Sequence, residues 1–172
     1  YIDAIRSRDY SSAVAIIREN NPFPVVCGRV CNHPCERRCR RSQIDEPVAI
    51  RELKRFAADY ELADPGSVRE KTAPSNGRKI AVIGSGPAGL SAAYYLAKEG
   101  YAVTVYEALP VLGGMLRVGI PDYRLPKNVL DLELQAILDM GIEVKTNVKI
   151  GRDIKIADLR SNFDAVFIGI GA

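Results

Sequence analysis

The chain has 172 residues, of which 47% are hydrophobic, and carries a formal net charge of +3. That is apolar material for one ordinary domain or two small ones, and it excludes a disordered chain. The charge is too small to argue for a nucleic-acid partner, and no run of about eighteen apolar residues marks a membrane span.

In chain order, Tyr1 to Asn20 reads as two helical pieces. Ile2 and Ile5 resemble the tail of one; Asp9 or Ser11 caps a second that carries Ala13, Ile16 and Ile17. The opening at Tyr1 falls in mid-pattern with no signal peptide, which reads as a fragment of a longer protein. Asn21-Pro22-Phe23-Pro24 breaks the helical pattern and leads into Cys27, Cys31, Cys35 and Cys39, each separated from the next by three residues.

Thiols clustered this tightly point to a soft metal or redox centre in a reducing compartment, the cytoplasm by default. Zinc fits the even spacing less well, because its ligand pairs are usually separated by a longer finger. On one continuous helix Cys27 and Cys39 would lie about 18 Å apart at 1.5 Å per residue, too far for one cluster. Either Gly28 and Pro34 bend the segment, or the thiols serve two centres with other ligands from elsewhere. Arg29, Arg37, Arg38, Arg40 and Arg41 crowd the same stretch. They either offset thiolate charge or form a solvated basic face or docking patch. His33, the only histidine, is a weaker candidate ligand beside four thiols.

Asp45-Glu46-Pro47 reads as a helix start, with Ile50, Leu53, Phe56, Ala57 and Tyr60 on one face. Leu62 to Arg78 is a polar linker and the expected domain boundary. Lys79 to Glu107 then reads as a βαβ dinucleotide-binding unit. Gly84 supplies the tight turn, Gly86 lets backbone approach a pyrophosphate, and Gly89 lets the helix lie close on the strand. The helix N-terminus, at Pro87 and Ala88, faces the phosphates. Glu107 can accept both hydroxyls of an adenosine ribose and would repel a 2′-phosphate, so the unit suits FAD or NAD better than NADP.

Further on, Gly113-Gly114 reads as a close-approach turn, Lys127 to Met140 as a helix ended by Gly141, and Ile142 to Val148 as an alternating strand. Asp164 to Ile170 is a continuous apolar run, expected as a central parallel strand ending in Gly169-x-Gly171.

Pro22 to Glu36 (PFPVVCGRVCNHPCE) and Asp45 to Asp59 (DEPVAIRELKRFAAD) resemble the N-terminal iron–sulfur domain of the glutamate synthase small-subunit family. That family includes the N-terminal part of dihydropyrimidine dehydrogenase and an electron-bifurcating ferredoxin:NADP oxidoreductase. VIGSGPAGLSAAYYL and GGMLRVGIPDYRLPK (Gly113 to Lys127) carry the resemblance through the second half. It implies an α/β protein with an N-terminal all-α part. Residues 1–74 would be a helical iron–sulfur domain and linker, and residues 75–172 a Rossmann-like FAD domain cut off before its NAD(P)H domain.

The resemblance further implies [4Fe–4S] clusters, FAD, and NAD(P)H in the intact parent, with Cys27, Cys31, Cys35 and Cys39 as metal ligands. Gly84, Gly86, Pro87, Ala88, Gly89 and Glu107 would hold FAD. Gly114, Met115 and Leu116 would run beside the flavin with Arg117 and Arg124 nearby, Val148 would meet the adenine, and Gly169, Gly171 and Ala172 would close over the cofactor. The chain departs from the family in three ways: it lacks the upstream cysteine motif, has Lys54 where some members have a cluster ligand, and ends before a second nucleotide unit.

The implied role is electron transfer from NAD(P)H through FAD and iron–sulfur centres to a partner subunit or domain, with neither nucleic acid nor membrane involved. Two alternatives stand beside it: an NAD-binding enzyme with a zinc-stabilised helical domain, and a cofactor-free scaffold or docking subunit.

Overall fold

The computed structural model describes residues 1–63 and 72–171. The chain divides into two compact units, Tyr1–Arg69 and Glu70–Ala172. The middle of the expected linker, residues 64–71, lies outside the described residues, as does Ala172.

The first unit is helical. Helices α1 (Ile2–Arg6), α2 (Tyr10–Arg18), α3 (Pro24–Val30) and α4 (Pro34–Arg37) are followed by a 3-10 turn (Arg40–Gln43) and helix α5 (Ile50–Ala63). Asp9 caps α2 by accepting a hydrogen bond from the Ser12 N–H at 3.1 Å. Ala13, Val14 and Ile17 then fall one helical face apart and pack on Ala57 of α5, with Tyr1, Ala4 and Ile5 alongside. Burying Val14 and Ile17 contributes about 1.5–3 kcal/mol each. Phe56 and Tyr60 stay half exposed and share the ring of Tyr10, at centroid distances of 5.2 and 4.8 Å.

Two local expectations change. Helix α5 begins at Ile50, not at Asp45-Glu46-Pro47. The Asp45 carboxylate is taken by the Arg41 guanidinium, and the Arg51 N–H is capped instead by Glu36 Oε1 at 2.8 Å. Gly28, expected as a bend, lies inside α3; a Cβ there would sit 2.8 Å from Arg55 Cα, so its use is close packing of α3 on α5. The bend comes later, where Cys31 is extended and His33 is left-handed at φ 42°.

The second unit is a parallel sheet of order β3-β2-β1-β4. In chain order it comprises β1 (Lys79–Ile83), α6 (Pro87–Lys98), β2 (Ala102–Tyr106), α7 (Met115–Val118), α8 (Lys127–Leu138), β3 (Glu143–Lys145), α9 (Ile156–Asn162) and β4 (Ala165–Ile168). Ile80 to Ile83 form an unbroken buried run, as a strand covered on both faces requires. Helix α6 turns Gly89, Ala93 and Ala97 inward at four-residue spacing, with Leu90 and Tyr94 beside them. Gly100, at φ +83°, ends it. Ala73 N–H bonds Lys98 O at 2.9 Å and Asn76 N–H bonds Gly100 O at 3.1 Å, so this end of the polar stretch is fastened to α6.

Strand β3 covers only Glu143–Lys145, shorter than the alternation from Ile142 to Val148 implied. Among the described residues β4 is an outer strand, paired to β1, and not the central strand its apolar run predicts. Phe167 and Ile168 are accordingly 40% and 57% exposed. Helix α9 has no counterpart among the elements expected from the sequence; Asp158 starts it, its Oδ2 accepting from the Lys155 N–H at 3.2 Å while its own N–H bonds Lys155 O at 3.1 Å.

Candidate cofactor site

The turn from β1 into α6 places glycines where side chains cannot go. A Cβ on Gly89 would lie 1.9 Å from Gly84 O, and one on Gly84, which has φ +97°, would lie 2.4 Å from Gly169 O. Gly169 donates its N–H to Ile83 O at 2.8 Å, bringing the end of β4 against the loop. Gly114 folds back on the same loop, so closely that its Cβ would be 2.8 Å from Gly86 Cα. Gly86 differs: a Cβ there would meet nothing within 4 Å, so its bare face opens to a cradle. Pro87 and Ala88 stand exposed at the start of α6, where a helix leaves its first N–H groups without internal acceptors.

Glu107, at the end of β2, is 7% exposed. Its Oε2 accepts from the Ser85 N–H at 2.9 Å and the Ser85 hydroxyl at 2.5 Å; its Oε1 accepts from the Leu109 N–H at 2.8 Å. Burial by itself would raise the Glu107 pKa. The Ser85 hydroxyl and the peptide N–H groups of Leu109, Ser85 and Ala108 outweigh it and hold the carboxyl below its ordinary value.

The structure thus gathers Gly84, Gly86, Gly89, Glu107, Gly114 and Gly169 around one loop. An open glycine face, a helix N-terminus and a buried carboxylate fit the pyrophosphate and ribose of a dinucleotide. The remaining candidates are placed less directly. Leu116 is buried in α7, whereas Met115 is 65% exposed. Arg117 bonds Leu112 O at 2.6 Å and pairs with Asp131, so its charge is already engaged within this unit. Arg124 is exposed on the loop before α8, and Gly171 lies just beyond β4 at φ +80°. Val148 packs against Ala81, Ile83, Tyr106 and Leu159, and its N–H is committed to Glu107 O at 2.9 Å. A contact to adenine through its backbone would therefore use the carbonyl.

The cysteines are distributed over bent backbone. Cys27 is in α3, Cys31 ends it, Cys35 is in α4, and Cys39 precedes the 3-10 turn. Among the described residues none of the four is joined in a disulfide, and Cys35 is the exposed one. The Cys27 thiol lies 3.5 Å from Asn21 Oδ1, and Cys31 Sγ accepts from the His33 N–H at 3.4 Å. Peptide N–H groups of Val48 and Arg41, aided by that of Ser42 and the Arg41 charge, lower the Cys39 pKa. Among the described residues no three His, Cys, Asp or Glu side chains stand together as a metal-binding group. The donors are chemically right for iron–sulfur ligation, but the described residues do not by themselves close a four-ligand centre.

Sequence reasoning missed Ser85 and Glu36. The unspecified position within Gly84-x-Gly86 gives no warning that its side chain meets an acid 22 residues on. Glu36 reads as one more charge in an arginine-rich stretch.

Comparison with known proteins agrees with the geometry. Residues 1–65 match the family described as dihydropyrimidine dehydrogenase domain II, 4Fe-4S cluster, and residues 82–148 match the NAD(P)-binding Rossmann-like domain. The chain is 48% identical over 192 residues to the beta subunit of the NADP(+)-dependent formate dehydrogenase of Moorella thermoacetica, covering 99% of this chain and 27% of that protein. It is 37% identical over 172 residues to the glutamate synthase [NADH] of Schizosaccharomyces pombe, covering 99% of this chain and 8% of that one. Among solved structures, Mycobacterium tuberculosis FprA in complex with NADPH superposes with a TM-score of 0.51 at 26% identity, over 58% of this chain and 23% of that one. The homologues are oxidoreductases, and this chain spans about a quarter of the formate dehydrogenase subunit. A helical 4Fe-4S-type domain followed by a Rossmann-like region is the architecture expected from the sequence.

Proposed function

We propose that this chain is the iron–sulfur and flavin-binding part of an NAD(P)H-dependent electron-transfer oxidoreductase that delivers electrons to a partner subunit or domain. The observation that carries the reading is the convergence of Gly86, Gly114 and Glu107 on one loop, joined in the same chain to a 4Fe-4S domain match. When bound, FAD would accept a hydride and release single electrons. The protein's own part is to bind and orient. The α6 N-terminus would take the pyrophosphate, with Gly84 and Gly89 holding the loop against helix and strand. Glu107 would take the adenosine ribose, and Met115 and Leu116 would lie near the isoalloxazine ring. Cys27, Cys31, Cys35 and Cys39 would contribute ligands to [4Fe–4S] centres completed by residues outside those described.

Homologues named as subunits support a redox partner, and a cluster of four cysteines read as metal ligands accords with a cytoplasmic setting. No helix among the described residues is long and apolar enough to cross a membrane. The names of the relatives carry both NADP(+) and NADH.

Anaerobic reconstitution of the full-length chain with iron, sulfide and FAD tests the reading. Flavin bands over a broad iron–sulfur absorbance, bleached by NADH or NADPH, support it. Zinc bound without iron or flavin would favour an NAD-binding enzyme with a structural zinc, and a colourless protein would favour a scaffold.

A further inference from the structure

We infer that Ser85 is a positioning residue for the adenosine ribose of the bound dinucleotide, acting through Glu107. The inference rests on the flavin reading proposed above and adds a residue that the glycine fingerprint leaves unspecified.

Ser85 has no exposed surface at all. Its hydroxyl donates to Glu107 Oε2 at 2.5 Å and accepts from the Gly113 N–H at 3.3 Å, so the direction of its proton is set. Its carbonyl also accepts from the Gly113 N–H at 3.1 Å, and its own N–H donates to Glu107 Oε2 at 2.9 Å. One small side chain therefore ties together the glycine loop, the acid at the end of β2, and the Gly113-Gly114 turn that presses on Gly86.

A carboxylate offers about four acceptor positions. The Ser85 N–H, the Ser85 hydroxyl and the Leu109 N–H stand at hydrogen-bond distance and the Ala108 N–H acts on the same carboxyl, so the carboxylate plane is fixed before any ligand arrives. Preset orientation spares a diol the cost of ordering its acceptor. The charged side chains of the adjacent strand β3, Glu143 and Lys145, pair with each other at 3.5 Å, and the Lys145 ammonium lies 5.6 Å from the Tyr106 ring centroid. Hydrogen bonds, not a neighbouring cation, keep the acid ionised in its buried place.

The experiment measures FAD affinity by flavin fluorescence in the full-length protein, for wild type, Ser85→Ala, Glu107→Gln and the double variant, from pH 8 to pH 5, with thermal unfolding recorded alongside. Removing a hydrogen bond to a charged group should weaken FAD binding about tenfold in Ser85→Ala at pH 7. The loss should grow toward pH 5, because a carboxylate with one donor fewer protonates more readily, while wild type stays flat. In the Glu107→Gln background the same change should cost less than about twofold, since the two residues act as one unit.

A merely structural serine would lower the unfolding temperature with no pH-dependent loss and with equal effect in both backgrounds, which overturns the inference. Unchanged or tighter binding in Ser85→Ala overturns it as well. If alanine does not fold, Ser85→Cys keeps the volume with a weaker donor and reads the same coupling. A wild-type protein that takes up no FAD refutes the flavin reading itself; FAD binding indifferent to Ser85 refutes only this step.

Discussion

Glu36 and Arg51 stand fifteen residues apart, and the carboxylate of the first caps the helix of the second: Glu36 Oε1 accepts the Arg51 N–H at 2.8 Å. The Arg51 guanidinium returns across the same gap to Cys31 O at 3.4 Å. The cysteine segment and α5 are therefore held by a reciprocal clasp. Glu36→Ala should destabilise the helical unit by about 1 kcal/mol, the usual value of a lost N-cap. Urea unfolding reads the loss, and faster amide exchange at the first turn of α5 locates it. An unchanged midpoint would mean that water caps the helix equally well.

The second and third glycines of the fingerprint should behave oppositely. Gly89→Ala drives a methyl to within 1.9 Å of Gly84 O and must displace helix or loop. It should cost about 1–3 kcal/mol or more in stability. Gly86→Ala meets no protein atom within 4 Å, so unfolding should be unaltered while FAD affinity falls. Circular dichroism with flavin titration on the two variants separates packing from binding.

In the helical unit, Arg18 and Glu61 form an ion pair of 2.6 Å with side chains 5% and 8% exposed. Arg18→Met removes the cation facing a buried carboxylate and should cost about 3–5 kcal/mol. Arg18→Met with Glu61→Leu should recover most of that loss. Denaturant midpoints of the single and double variants give the coupling directly.

Glu107 makes stability depend on pH in a defined direction. Its folded pKa lies below the ordinary 4.5, so its stabilising contribution is complete above that value and is lost as pH falls through the lower, folded one. The stability difference between wild type and Glu107→Gln should be constant from pH 7 to about pH 5 and shrink below it. Thermal unfolding at successive pH values would show this. A gap that widens on acidification contradicts the assignment.

Much of this molecule follows from local pattern. The βαβ unit appears in place because β1, α6 and β2 each have their own periodicity and their own stop, ending in Gly84, Gly100 and Glu107. Asp9 was legible as one of two candidate caps for the same reason. Long-range partners are what local pattern misses. Asp45 has the chemistry of a helix cap, but Arg41 claims it and Glu36 does the capping from another segment. Gly28 has the chemistry of a bend, yet Arg55 lies so near that only a glycine fits within the helix. Ser85 carries no motif because its partners, Glu107 and Gly113, come from two other parts of the chain. The cysteine spacing offers thiol donors at close intervals, but among the described residues no three metal-ligating side chains stand together, because the backbone between the cysteines bends and separates them.

The pairing of β1 with β4 also sets an order of assembly. Ser85 meets Glu107 after 22 residues, whereas Lys79 meets Asp164 Oδ2, at 2.7 Å, only after 85. At about 5–20 residues per second, roughly 4–17 seconds of synthesis separate β1 from the strand that will flank it. During that interval β2 is the neighbour available to β1, and the loop can organise on its Glu107 side first. Gly169 is then the last of the loop's glycine partners to leave the ribosome, so on a growing chain the cradle forms as an open shelf and acquires its far wall at the end.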